Sequence, residues 1–408
     1  MVKNDRSTKI KVIGVGGAGG NAINNMIISE IEGVGFIAAN SDVQSLDLSK
    51  AETKIQLGFN LTNGLGAGAN PDVGREAALE NASDIRSVLK DSHMVFITAG
   101  LGGGTGTGAS PVIAGICKEM GILTVAVVTR PFSFEGKKRM KLADQGIRDL
   151  DKVTDTVISI PNDRMRALAS KDAKMLDMFR LADEILLQSV KGITDLIIQP
   201  GVVNLDFADV NTIMSKAGMA IMSIGISSSK NRAIEAAEKA IYHPFLKDVN
   251  IKDAKGVLMN ITGSSNLTME EMTEASDRIY SEVSDDAEII WGAIVDDRLG
   301  KEMRVTVIAT GIDSGSLKKK TPKKTDFANG RKVTANSLRK FGRYNANFDP
   351  QITYNTIGPQ INLLLKNAAI RRQRITKILI LLLFCVLKQI KETSEHKCLQ
   401  LIYILFGK

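Results

Sequence analysis

Apolar and polar positions divide the first 160 residues into short apolar runs separated by stretches of helical period. Residues 9–15, 34–39, 94–99, 123–129 and 156–160 are apolar almost throughout, as strands covered on both faces are. Between them, residues 20–30, 73–89, 109–120 and 137–150 repeat apolar positions every three or four residues, which predicts helices. Such alternation predicts a parallel sheet with right-handed crossovers, whose ligands bind at the carboxyl ends of the strands. Farther on, Leu176, Phe179, Ala182, Leu186, Val190, Ile193 and Ile197 predict one helix of some 25 residues, about 37 Å long. A second αβ unit follows, with helices at 233–242 and 268–284 and a strand at 256–262. Strands at 288–295 and 303–310 read as an antiparallel hairpin around Asp296, Asp297 and Gly300. The expected class is α/β: a parallel-sheet domain (1–170), a long central helix (171–200), a second, smaller α/β domain (201–316) and an irregular tail (317–408).

Three glycine-rich segments fall at or near the strand ends: GVGGAGGN (14–21), GLGAGANP (64–71) and GLGGGTGTG (100–108). The last holds six glycines and two threonines in nine residues, between an apolar strand and a helix. Glycine lets successive amides converge on an anion without Cβ clashes, the helix end adds positive partial charge, and the threonines add hydroxyl donors. A flexible loop is the plainer reading, but loops seldom concentrate glycine so tightly at such a junction. Gly14, Gly16 and Gly19 also satisfy the dinucleotide fingerprint, with Asp42 near the place of a ribose-binding acid. That keeps a nicotinamide-dependent oxidoreductase as an alternative, although the other two glycine loops are superfluous for it. His93 and His243 have no neighbours that suggest a proton relay and read as structural. No GxxxxGK[ST] pattern occurs, which disfavours a P-loop NTPase.

Composition narrows the classes. The net charge of +8 conceals a division: residues 317–408 carry 19 Lys/Arg against 4 Asp/Glu, leaving 34 against 41 in the body. The acidic body is therefore not expected to bind nucleic acid, whatever the basic tail does. Cys117, Cys385 and Cys398 are scattered and odd in number, which fits a reducing compartment and excludes a disulfide framework or a cysteine zinc site. No signal peptide or resident metal site is expected. In the tail, residues 378–387 are apolar but too few to span a bilayer. Flanked by Arg371, Arg372, Arg374 and Lys377, they leave peripheral membrane contact open, beside an apolar segment packed on itself or on a partner, or an altered reading frame.

GGGTGTG (102–108) resembles the signature of the tubulin/FtsZ GTPase family. IKVIGVGGAGGN (10–21), GLGAGANP, TVAVVTRPFSFEGKKRM (124–140), IPND (160–163) and NLDFADV (204–210) extend the resemblance over the first 312 residues. It implies a GTP hydrolase, working with Mg²⁺, that assembles head to tail into the cytoplasmic ring at the division site. It implies that Gly17, Ala18, Gly19 and Gly20 lie against the phosphates and that Asn21 reaches the guanine. Gly104, Thr105 and Gly106 would clasp the β- and γ-phosphates, aided by Gly68 and Ala69. Glu135 and Arg139 would hold the ribose, Phe179 would stack on the base, and Asn162 and Asp183 would read its edge. Guanine offers N1–H and an N2 amine, which one carboxylate accepts together. On spacing alone, Phe179 and Asp183 read equally well as a core aromatic and a solvated acid. Asn204, Asp206 and Asp209 fit a helix N-cap by spacing; the resemblance makes them instead the catalytic set, inserted into the neighbouring subunit's pocket. A filament GTPase outside division is the remaining alternative. The family's acidic, Ile-Pro-containing tail motif is missing after Gly311, which leaves the docking of division-ring partners open.

Overall fold

Among the described residues the fold is built on one ten-stranded sheet, and its strand order explains where a ligand can enter. A computed structural model describes residues 8–312 apart from 168–171, 200, 202, 204, 216 and 247–250. The expectations for Asn204 and for the tail fall outside the described residues.

The chain opens with β1 (Ile10–Val15), α1 (Gly16–Ile28), β2 (Val34–Asn40), α2 (Val43–Asp47), β3 (Thr53–Gln56) and α3 (Phe59–Thr62). It continues through α4 (Pro71–Glu80), α5 (Ala82–Leu89), β4 (Met94–Gly100), α6 (Thr105–Glu119), β5 (Leu123–Arg130), α7 (Lys137–Asp151), β6 (Thr156–Pro161) and α8 (Asn162–Met165). After the long α9 (Met175–Ile198) come α10 (Phe207–Met214), β7 (Gly218–Ser227), α11 (Arg232–Ile241), β8 (Gly256–Gly263), α12 (Met269–Tyr280), β9 (Glu288–Val295) and β10 (Met303–Thr310). The strands lie in the order β3-β2-β1-β4-β5-β6-β7-β10-β8-β9. From β3 to β7 every pairing is parallel, as the alternation predicts. The seam between the two halves is narrow, with β6 and β7 pairing only from Thr156↔Gly218 to Ile158↔Ala220. β4 and β5 are buried along nearly their whole length, and Phe96, Ile97, Val125 and Val127 have no exposed surface. Cys117 lies on α6 in the core cluster that holds Ile97, its thiol pKa pushed up to about 12 by burial, which makes it inert.

The hairpin expected of residues 288–310 does not form. β10 inserts antiparallel between β7 and β8, while β9 lies at the sheet edge, parallel to β8. Burial explains the arrangement: β10 is covered at all but one residue, whereas β9 is half exposed along its first half. An apolar strand such as MRVTVIAT is better satisfied in the sheet centre than in a hairpin beside the edge. Strands β3 and β7 were not foreseen, and of helix α10 only the N-cap spacing of Asp206 and Asp209 was read. The helix expected over 73–89 is broken at Asn81, whose side chain accepts the Gly58 amide at 2.8 Å and donates to Asp84 at 2.8 Å, tying the break to a neighbouring loop. The long helix forms as expected, 24 residues and about 36 Å. Its first apolar positions, Leu176 and Phe179, are exposed rather than buried.

Candidate functional site

Two helices begin at one point. β1 feeds α1 and β4 feeds α6, and strand order reverses between these adjacent strands. The N-caps are Val15 and Gly104, and neither offers a side-chain acceptor to the open N–H groups of the first turn. The two ends abut: a Cβ on Gly16, which is at φ +73°, would lie 3.0 Å from the Gly106 amide nitrogen. Two positive helix ends thus meet at a topological switch point, where an anion is the complementary ligand.

A cleft of about 300 Å³ opens there, with Gly16, Gly17, Ala18, Gly103, Gly104, Thr105 and Gly106 at its electropositive end. Glu135 and Arg139 line its flank. One Glu135 oxygen accepts the Phe132 amide at 2.8 Å and the other accepts from Arg139 at 2.6 Å, which fixes both side chains. At the far end stand Asn162, Phe179 and Asp183, with Ala182 and Leu186 as an apolar floor. The buried Phe132 meets Phe179 edge to face at 5.5 Å and so sets its orientation. Burial pushes the Asp183 carboxyl up to about 6. The Asn162 side-chain oxygen is buried and lacks a partner among the described residues. A cleft with open N–H groups at one end, and unpaired acceptors beside an aromatic face at the other, suits a phosphorylated molecule with a flat, hydrogen-donating head.

Of the binding residues expected from sequence, Gly17, Ala18, Gly104, Thr105, Gly106, Glu135, Arg139, Asn162, Phe179 and Asp183 come together here. Gly19, Gly20, Asn21, Gly68 and Ala69 do not line the cleft. A Cβ on Gly19 would sit 2.5 Å from the Thr98 carbonyl oxygen, so this glycine lets α1 press on β4. A Cβ on Gly108 would lie 1.9 Å from the Pro71 carbonyl oxygen, where α6 meets α4. Part of the glycine signal is therefore helix packing. Asp42 caps α2, accepting from the amides of Gln44 and Ser45, and takes no part in the cleft. Sequence reasoning missed Thr129 and Pro131; their place just past the apolar run of β5, at a strand's carboxyl end, was the available signal.

Asp206 and Asp209 lie elsewhere. They form a reciprocal capping box on α10, Asp206 accepting the Asp209 amide at 2.9 Å and Asp209 accepting the Asp206 amide at 3.1 Å. Phe207, the next residue, packs 6.2 Å from His93, which precedes β4. The cleft is at the other end of that strand, seven residues and roughly 20 Å away. Among the described residues no group of three His, Cys, Asp or Glu is placed to hold a metal, and no helix is long and apolar enough to cross a membrane.

Comparison with known proteins identifies the family. Residues 9–170 match the GTPase domain of the tubulin/FtsZ family, and residues 218–313 match the FtsZ family C-terminal domain. The cell division protein FtsZ of Pseudomonas putida is 53% identical over 307 residues, 75% of this chain and 77% of that protein. The chain belongs to the tubulin/FtsZ family. An FtsZ from M. jannaschii superposes with a TM-score of 0.73 at 46% identity, over 76% of this chain and 90% of that one. CetZ2 of Haloferax volcanii, at 19% identity and a TM-score of 0.64 over 75% of this chain and 94% of that one, shares the fold. As a member of the tubulin/FtsZ family the chain is a GTP-binding GTP hydrolase of cell division. Neither a nicotinamide-dependent oxidoreductase nor a filament protein outside division is favoured.

Proposed function

We propose that GTP lies in the cleft with its phosphates against the ends of α1 and α6 and its base against Phe179, and that hydrolysis waits for a second copy of the chain. Gly17, Ala18, Gly104, Thr105 and Gly106 bind the phosphates, aided by the loop of Gly68 and Ala69, whose flanking Ala67 and Asn70 pack on Gly104. Glu135 and Arg139 hold the ribose, while Asn162 and Asp183 read the guanine edge. Among the described residues the glycine-lined end of the cleft carries amides and the Thr105 hydroxyl and no carboxylate, so magnesium would enter as a companion of the triphosphate. It would be held by phosphate oxygens and water and would offset their charge.

The observation that carries the in-trans reading is the distance of Asp206 and Asp209 from their own cleft, roughly the length of β4. Carboxylates so placed cannot orient a water on the γ-phosphate of their own subunit. In a head-to-tail pair they reach the open cleft of the next copy, and the contact repeats into a filament if it does not close. The M. jannaschii FtsZ noted above is described as a dimer. Repeated along a filament, this geometry supports a cytoplasmic mid-cell ring whose junctions weaken after hydrolysis. The test is GTPase rate per subunit against protein concentration. The rate should climb from near zero to a plateau over the range where polymer sediments, and a flat profile refutes hydrolysis at the junction.

A further inference from the structure

We propose that Ser41 is a positioning residue for the nucleotide phosphates, acting through Thr105. The inference rests on the reading of the cleft as a GTP site. Ser41 follows β2, has no exposed surface, and lies outside the cleft lining. Its hydroxyl oxygen is 2.6 Å from that of Thr105, the first residue of α6 and part of the electropositive end. Either oxygen could donate in that pair, but the two choices differ at the cleft. If Thr105 donates to Ser41, its only proton is used and lone pairs face the anion. If Ser41 donates, Thr105 keeps its proton for a phosphate oxygen. A bound anion selects the second arrangement, in which Ser41 donates to Thr105 and Thr105 donates into the cleft. Successive donors of this kind polarise one another, and the charged acceptor strengthens the last bond.

Ser41 is held so that its hydroxyl stays in place. Its carbonyl oxygen accepts the Gly66 amide at 3.1 Å and lies 3.2 Å from the Thr62 hydroxyl. The amide of Val43 donates to the Gly64 carbonyl at 3.0 Å. The side chain thus serves the α6 loop while the backbone anchors the loop that carries Gly68 and Ala69. One buried serine joins two of the three glycine loops expected at the phosphates.

Titration of a fluorescent, slowly hydrolysed GTP analogue into the full chain tests this, with thermal unfolding of each variant as a check on folding. Ser41→Ala should weaken binding about five- to tenfold, the effect of losing one assisting hydrogen bond to a charge-bearing chain. Ser41→Cys, close in size but a weak donor, should do the same. Thr105→Ala should weaken binding at least as much, and the Ser41→Ala/Thr105→Ala double variant should bind no more weakly than Thr105→Ala alone. A merely structural serine would instead give losses that multiply. Wild-type affinity in both Ser41 variants, or multiplied losses in the double variant, overturns the relay while leaving the cleft assignment intact. Unchanged affinity in Thr105→Ala overturns the phosphate reading itself, and the relay with it.

Discussion

Replacing Asp183 with asparagine should make the nucleotide-free protein more stable and its grip on GTP much weaker. Burial against Ala182 and Leu186 raises the carboxyl to about 6, so folding must hold a poorly solvated charge whenever the pH is above that value. In the unfolded chain the group titrates near the ordinary 3.8. The penalty is therefore absent below about pH 4, grows between pH 4 and 6, and is complete above pH 6. Two pKa units correspond to an upper limit of about 3 kcal/mol. Solvent screening of a side chain still partly exposed reduces that to on the order of 1 kcal/mol, or about 2 °C in a domain this large. Asparagine carries no charge, so its advantage in melting temperature should grow between pH 4 and 6 and then stay level. Its amide would face guanine's donors with a donor of its own, losing a charge-assisted pair and about a hundredfold in affinity. Melting curves across that pH range and equilibrium titration with labelled GTP measure the two effects. A variant that loses stability as well as affinity would mark Asp183 as a structural side chain, and unchanged affinity would remove it from the base site.

Other perturbations probe the remaining parts. Asp209→Asn keeps an acceptor for the α10 cap and should bind GTP normally while turnover falls about a hundredfold or more; normal turnover would end the in-trans role. Asp209→Ala should lose the same activity and in addition about 1 kcal/mol of stability through the broken capping box, seen as a lower melting temperature than the asparagine variant shows. Gly108→Ala forces a methyl group onto the Pro71 carbonyl oxygen and should cost about 3 kcal/mol or more, read by thermal unfolding; an unchanged melting temperature would contradict the packing account. Wild-type GTP affinity should decline as pH falls through about 6, where Asp183 takes up a proton and can no longer accept both guanine donors. Affinity level from pH 5.5 to 7.5 would count against the same residue.

The parallel half of the fold was legible because its strands are buried on both faces and its helices are amphipathic, so period and length distinguish them. The second half was not, because hydrophobicity reports that β9 and β10 are strands without reporting their neighbours. Only the burial of β10 on both faces, a tertiary fact, moves it away from β9. Glycine was legible as a concentration but not by role. Gly103 and Gly17 face open space, where a ligand can approach the backbone, whereas Gly19 and Gly108 are required by helix packing a few residues away. Ser41 gave no signal at all, since a serine after a strand is ordinary and its partner lies 64 positions on.

The acids of NLDFADV show why two readings of one pattern need not compete. Spacing suggested a helix cap, family resemblance suggested catalysis, and the cap is what forms within a single chain. It engages one oxygen of each carboxylate, Oδ1 of Asp206 and Oδ2 of Asp209, leaving the second oxygen of each for another partner. A carboxylate that must orient a water in a neighbour's cleft benefits from being fixed and charged before contact, because no ordering is then needed at the junction. If the acids act in a neighbour's cleft as proposed, the cap is the means by which a subunit carries a rigid half-site on one end, with the open helix ends of α1 and α6 as the other half on the opposite end. On that reading each chain has two incomplete sites, and only association with another copy brings complementary halves together.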